Sequence, residues 1–349
     1  MGLITGIMPA WRVTANSQDI TATILARFID LTLTDSIGFD SDTLEIRLSD
    51  ADPLMPIEIP PTGAELEVAL GYDGIASPMG MFICDELELA GWPGEMVIRG
   101  RAAVYDKSKG GKTDLQTQKN RSWPKDTTIG DMVAKIAGEH SLEPAVADSL
   151  KGIKLPHTDQ ADESDINLLI RIAKKYDGVV KPANGKLVMA KRGEAKSASG
   201  QDLSPVAIEP GDCASWRLVV SKRETAGMVV AYWHAVKQAK RNEVKVGKGE
   251  PVRRLKQYYP TEEMALAAAR SELERRERGQ QTVSLTVTGS PTILAEARLT
   301  LTGFRPGVDG EWLISRVTHR IDASGGYVCD LEAEKPNSGE QAEVEVTQT

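Results

Sequence analysis

The chain is short of aromatic residues, histidine and cysteine, and it has no long apolar run; each shortage removes a class of protein. Aromatics are 5% of 349 residues, so the cores are expected to be aliphatic. The longest apolar run, Met228 to Trp233, falls far short of a bilayer span, and no basic residue precedes Arg12, so neither membrane insertion nor Sec export is expected. Gly2 is followed by Gly6 where myristoylation needs Ser or Thr. Cys84, Cys213 and Cys329 are odd in number and widely spaced, which reads as reduced, buried thiols of a protein made in a cytoplasm. Lysine is missing from residues 1–100. That stretch has four Arg against sixteen Asp and Glu, a net charge of -12, so with -8 overall the remainder is net positive by four. The basic residues concentrate between Ala235 and Gln257, eight Lys and Arg against Glu243 and Glu250. Such a stretch suits a nucleic acid or an acidic protein surface. The plainer reading is a solvated loop, because no stacking aromatic is interleaved before Tyr258.

What is present is strand periodicity. Polar and apolar residues alternate over Leu31–Thr34, Leu44–Leu48, Leu66–Leu70, Phe82–Cys84 and Glu86–Leu89, separated by turn clusters, which predicts an antiparallel sandwich or barrel. A linker is read over Lys107–Lys125. Helical periodicity follows: Thr128 and Asp131 form a capping-box-like start ahead of Ile129, Met132, Val133 and Ile136. A second helix is predicted from about Ser164 with Gly178 as its stop, then a hairpin around Asn184-Gly185. After a Gly/Ser/Ala linker, Glu194 to Gly200, strands resume at Trp216–Val220 and Met228–Trp233. Thr261 opens an alanine-rich helix ending at Gly279, and strands return at Val283–Val287, Leu299–Leu301, Trp312–Val317 and Tyr327–Leu331. The fold class is therefore mainly β with an α/β insert. Its expected parts are a first barrel-like domain over 1–107, the insert over 108–195, a second barrel-like domain over 196–335 interrupted at about 236–280, and an acidic flexible tail over 336–349.

Two stretches 230 residues apart read as one hairpin written twice. Gly80-Met81-Phe82-Ile83 has Leu87 downstream and Val97-Ile98 on the return. Gly310-Glu311-Trp312-Leu313 has Val317 downstream and Tyr327-Val328 on the return. In both, a glycine opens a strand led by a large aromatic, and spacing alone leaves duplication and coincidence equally open.

Motifs that carry chemistry are scarce. The four histidines, 140, 157, 234 and 319, have no metal-ligand spacing, and no Cys-x-x-Cys occurs. Gly110-Gly111-Lys112-Thr113 imitates the end of a phosphate-binding loop, but Asp106 stands where its first glycine belongs. There is no Gly-x-Ser-x-Gly elbow. Asp40/Asp42 and Asp50/Asp52 sit in turn-rich sequence, where aspartate caps backbone more often than it hydrolyses sugars. No catalytic, cofactor-binding or metal residue is assigned, and a scaffold is the expected class.

The segment from Ile153 to Gly178, with Leu155-Pro156-His157-Thr158-Asp159-Gln160 and Leu169-Ile170-Arg171-Ile172-Ala173 inside it, resembles the signature of the phage late control D family. These are tail hub proteins of P2-like contractile phages, related to other myophage baseplate hubs and to the hub half of VgrG proteins. Arg27 to Asp52, Ser122-Trp123, Thr127-Thr128 and Gly310-Glu311-Trp312 are similar to the same family, in consistent order from about Trp11 to Glu334; the basic stretch and the tail have no counterpart. The resemblance implies two tube-like barrels per chain and a homotrimer whose six barrels mimic a sixfold ring. It also implies a virion protein assembled in the host cytoplasm. The implied partners are a central spike, a tail tube or tube-initiator protein, a tape-measure protein and baseplate wedge proteins, with no specific nucleic-acid binding. If the acidic first barrel lines the lumen, DNA passes without sticking. Ring edges are expected at Leu66, Val68 and Leu70 and at Val283, Leu285 and Val287. Three rivals stay open: the hub of a pyocin-like or VgrG-like injection particle, a tail-associated cell-wall hydrolase, and a DNA-binding regulator using the basic stretch.

Overall fold

A computed structural model describes residues 8–37, 42–102, 114–183, 185–193, 203–221, 227–234, 241–278, 280–324, 326–336 and 344–348. The first module holds β1 (Pro9–Ala15), β2 (Gln18–Asp19), a short helix α1 (Thr21–Leu25), β3 (Phe28–Ser36), β4 (Thr43–Ser49), β5 (Glu65–Tyr72), β6 (Ile75–Ala90) and β7 (Glu95–Ala102). The predicted alternation places Leu31, Leu33, Leu44, Ile46, Leu48, Leu66, Val68 and Leu70 on the buried face. The opposite face carries ion pairs: Arg47 with Asp30 and Glu95, and Arg99 with Glu45, Glu86 and Glu88.

The insert contains β8 (Gln118–Trp123), α2 (Ile129–Glu139), β9 (Glu143–Val146), α3 (Asp148–Lys151), β10 (Thr158–Ser164), α4 (Asp165–Ala173), β11 (Gly178–Ala183) and β12 (Lys186–Lys191). Thr128 caps α2 by accepting from the Asp131 N–H, and Ser164 caps α4 by accepting from the Asn167 N–H. Two predictions are corrected here. Gln118–Trp123, read as linker, is a strand paired with β10, where the polar face of a two-stranded ribbon hides its periodicity. The turn out of α4 is made by left-handed Asp177 (φ 51°), not by Gly178, which already belongs to β11.

The second module holds β13 (Val206–Ile208), β14 (Cys213–Val220), an excursion of β15 (Met228–His234), β16 (Arg241–Gly247), β17 (Val252–Tyr259) and α5 (Glu262–Arg278), then β18 (Gln281–Thr288), β19 (Arg298–Leu301), β20 (Gly310–Asp322) and β21 (Tyr327–Glu334). Much of the supposed basic loop is therefore the strands β16 and β17, and the tail supplies β22 (Val344–Gln348). The excursion is a four-stranded sheet in the order β17-β15-β16-β22, with Val344 opposite Val246 and Val346 opposite Val244. The alanines of α5, Ala265, Ala268 and Ala269, pack against it with Val229, Ala231, Val244 and Val246. Residues 235–240, the glycine-lysine motif at 110–113, the 194–200 linker, Asp40, Asn184 and Gly279 lie outside the described residues. Cys84 and Cys329 are buried as expected, whereas Cys213 is only partly so.

Seven strands of the first module and six of the second form one 13-stranded sheet over one hydrophobic cluster, joined where β3 pairs with β20. The two halves repeat. Side by side, β3-β4-β7-β6-β5 recurs as β14-β18-β21-β20-β19, which is also the same order along the chain. Leu66 faces Phe82 and Val68 faces Gly80, as Leu299 faces Trp312 and Leu301 faces Gly310. Both glycines sit at positive φ, 136° and 119°, and both aromatics are buried. The ladder slips at Asp85 in one hairpin and at Ser315 in the other, the same step past the aromatic. The likeness ends at the margin, where β1 runs antiparallel to β5 but β13 runs parallel to β19.

Candidate assembly interface

The joint between modules is an antiparallel ladder from Arg316–Ser36 to Asp322–Asp30. On its core side Leu31, Leu33, Val317, His319 and Ile321 are all buried. The His319 Nδ1 lies 3.0 Å from the Tyr327 hydroxyl and 3.2 Å from the Cys329 thiol, and burial lowers its pKa to about 4. At one end of the joint the insert reaches in. Lys181 of β11 places Nζ 2.7 Å from Asp42 and 3.2 Å from Asp35, while Asp35 accepts the Ala295 N–H at 2.9 Å. Burial opposes the Lys181 charge, but the two carboxylates outweigh it and its pKa is raised. Burial and the neighbouring Asp35 push Asp42 up to about 6, and burial pushes Glu296 up to about 7. A second buried tie joins insert and sheet: Arg278 holds Asp177 at 2.6 and 2.8 Å and lies 3.5 Å from Glu334 of β21. A residue in each of three sequence regions thus fixes how the modules and the insert sit.

Two edges lack what this joint has. The upstream part of β6 pairs with β5 as far as Ile83, as β20 pairs with β19 as far as Leu313. Downstream, β20 receives β3, but on β6 the Glu86–Ala90 stretch meets no strand on that side among the described residues. Its inward residue Leu89, counterpart of buried His319, is 52% exposed. Likewise β14, counterpart of β3, pairs only with β18 among the described residues. Trp216, counterpart of Leu31, is 40% exposed, and Val219 and Val220 are 37% and 59% exposed.

The interface residues read from sequence lie elsewhere. Leu66, Val68 and Leu70 belong to β5, held between β1 and β6, and Val283, Leu285 and Val287 belong to β18, held between β14 and β21. All six are buried in the core, so none lines a free edge. Alternation reports which face of a strand is apolar and says nothing of which neighbour is missing. The signal that marks the real edge is Trp216-Arg217-Leu218-Val219-Val220, a strand of apolar residues with a single charge to guard it.

The acidic groups considered for chemistry have structural work. Asp50 accepts the Ile57 N–H at 2.7 Å and pairs with Arg27, and Asp52 accepts the Leu54 N–H at 2.9 Å. Glu139, His140 and Asp165 come within 4.8 Å of one another. Asp165, however, already binds Lys119 (2.7 Å), Arg121 (2.6 Å), His140 (2.8 Å) and Gln160 (2.8 Å). Burial opposes its charge, yet His140, Lys119, Gln160 and Arg121 hold its pKa down to about 2. Two fixed cations stand where a metal ion would have to, and the cluster ties β8 and α2 to the start of α4.

Comparison with known proteins follows the same lines. A family model described as "Phage tail baseplate hub (GPD)" matches residues 111–325. The probable baseplate hub protein of Escherichia phage 186 is 33% identical over an alignment of 374 positions, covering 95% of this chain and 94% of that protein. That of Escherichia phage P2 is 32% identical over 382 positions, covering 97% and 96%. The crystal structure of the 43 kDa tail protein of prophage MuSo2 from Shewanella oneidensis superposes with a TM-score of 0.70 at 14% identity, over 96% of this chain and 100% of that one.

Proposed function

The chain belongs to the phage tail baseplate hub (GPD) family, and we propose that in a contractile tail it is the trimeric adaptor between a threefold central spike and the sixfold tail tube. The observation that carries this reading is the repeated strand order of the two sheet halves. A threefold spike and a sixfold tube have no common subunit count unless each hub chain presents two quasi-equivalent modules, and this chain has two. Three copies then offer six modules to the tube and three chains to the spike.

The hub works by assembly, without turnover, as part of the virion tail built in the host cytoplasm. Its remaining partners are a tube-initiator or tube protein, the tape-measure protein and the baseplate wedge. The acidic surplus of residues 1–100 lies in part on the sheet face opposite the core, where Glu45, Glu86, Glu88 and Glu95 outnumber Arg47 and Arg99. Turned to a central channel, that face gives phosphates little to bind, and DNA or the tape-measure protein slides through.

Image averaging of purified tails tests the reading. It predicts threefold density at the spike end of the hub passing into near-sixfold density at the tube end, and a hub of strict sixfold or twofold symmetry contradicts it. Clearing of peptidoglycan by the purified chain, abolished by replacing one carboxylate, would favour the hydrolase instead.

A further inference from the structure

We infer that β14 of one copy adds as an antiparallel strand to the Glu86–Ala90 half of β6 in the next copy, reproducing between chains the β3–β20 ladder found within the chain. The inference rests on the hub reading for the number of copies and on the repeat for its geometry. Within the chain, β3 of the first module closes on β20 of the second. In the repeat, β14 stands for β3 and β6 stands for β20, so the missing contact is β14 against β6. Those two strands carry, on opposite modules, the two edges described above as open.

The register follows from the template. Val317 faces Asp35, Thr318 faces Thr34, His319 faces Leu33 and Arg320 faces Thr32. Transferred through the ladders that each strand shares with its own module, these pairs become Leu87–Val220, Glu88–Val219, Leu89–Leu218 and Ala90–Arg217. The side chains suit it. Leu87 and Leu89 meet Leu218 and Val220 on the core side, continuing the cluster that Leu31, Leu33 and Val317 fill at the internal joint. On the outer side Arg217 lies diagonal to Glu88, a favourable cross-strand neighbour.

A second copy is the occupant that the observations name. Its β14 has the backbone spacing that the β3–β20 ladder already demonstrates, and its charge is opposite to that of Glu86 and Glu88. The contact is heterologous, one surface meeting a different surface on the neighbour, so it builds a ring when rotation closes and a filament when it does not. Three copies close a ring of six modules. An edge of this kind, bearing Trp216, Val219 and Val220 with Arg217 as its one charge and neither proline nor lysine, is otherwise a site of aggregation.

The test uses the full chain with cysteines placed across the inferred ladder. Glu88→Cys with Val219→Cys in one polypeptide is expected to give disulfide-linked dimers and trimers on mild oxidation. Glu88→Cys with Arg217→Cys, two residues out of register, is expected to give several-fold less, and either single variant only the wild-type background. Leu89→Asp or Val220→Asp places a charge in the same contact and is expected to weaken association by about 100-fold while leaving the circular dichroism spectrum unchanged. A trimer that fails to link, or links best out of register, overturns this pairing and leaves the hub reading standing. A chain that stays monomeric with no link overturns both.

Discussion

The two halves of the large sheet share a strand order but differ in how they end, and the difference shows what each half is for. In the internal joint β3 covers β20, and Leu31, Leu33, Val317, His319 and Ile321 on its core side are buried. At the outer margins Trp216 and Leu89, the counterparts of Leu31 and His319, are substantially exposed. The inserted domain also treats the halves unequally. It is tied through Lys181 to Asp35 and Asp42 at the internal joint and through Arg278 to Glu334, and no such tie reaches the β14 edge among the described residues. One joint is closed as part of the core, and its counterpart edges meet no strand among the described residues, which is where the inferred contact between copies falls.

The comparison is most severely tested at the repeated aromatics. If Phe82 and Trp312 hold equivalent places, Phe82→Ala and Trp312→Ala each destabilise the chain by about 3–5 kcal/mol in denaturant unfolding. A large cost at one site and a negligible cost at the other would break the equivalence. Trp312 adds an indole N–H donated to the Val308 carbonyl at 2.7 Å, so its loss is expected to be the greater.

Next is the joint that only one half possesses. Lys181→Met leaves Asp35 and Asp42 facing each other without their cation and is expected to cost about 3 kcal/mol, read as a lower denaturant midpoint. A variant as stable as the wild type would mean that the insert does not brace the joint.

The same cluster gives the joint a pH dependence. Glu296 and Asp42, with pKa values raised to about 7 and about 6, bind protons more tightly folded than unfolded, where carboxyls titrate near about 4. Their contribution to stability is complete below that unfolded value and is lost as pH rises through about 6 to 7. His319, lowered to about 4, acts in the opposite sense: its contribution is present above about 6.5 and is lost as pH falls toward 4. Glu296→Gln is expected to reduce the fall in thermal midpoint between about pH 5 and pH 8. An unchanged profile would remove Glu296 from the cluster.

The smallest effect expected is at a surface pair of the second module. Arg316 and Glu332 lie 3.6 Å apart and both are well exposed, so Arg316→Ala should change stability by less than about 0.5 kcal/mol. A loss of several kcal/mol would show that the outer face of this hairpin is covered.

Much of this was legible in the sequence where local chemistry decides the outcome. The strands at Leu31–Leu33 and Leu44–Leu48 are marked by alternation, the helix at Ile129 by the cap Thr128, the helix at Asp165 by its apolar spacing, and the repeat by a glycine followed two residues later by a large aromatic. What stayed hidden depends on neighbours. The strand β17 carries Arg253, Arg254 and Lys256 on an exposed edge, which masks its period, and β22 is too short to signal before it pairs with β16. The open edges stay hidden for the same reason: Leu66 and Leu218 have the same local pattern, and only strand order separates a strand held between two neighbours from one with a free edge.

Native mass spectrometry of the purified full-length chain across a concentration series tests the central claim most directly. Two like modules per polypeptide predict a discrete complex of three 37.8-kDa chains. A dimer, a tetramer or an open-ended series of masses would contradict it.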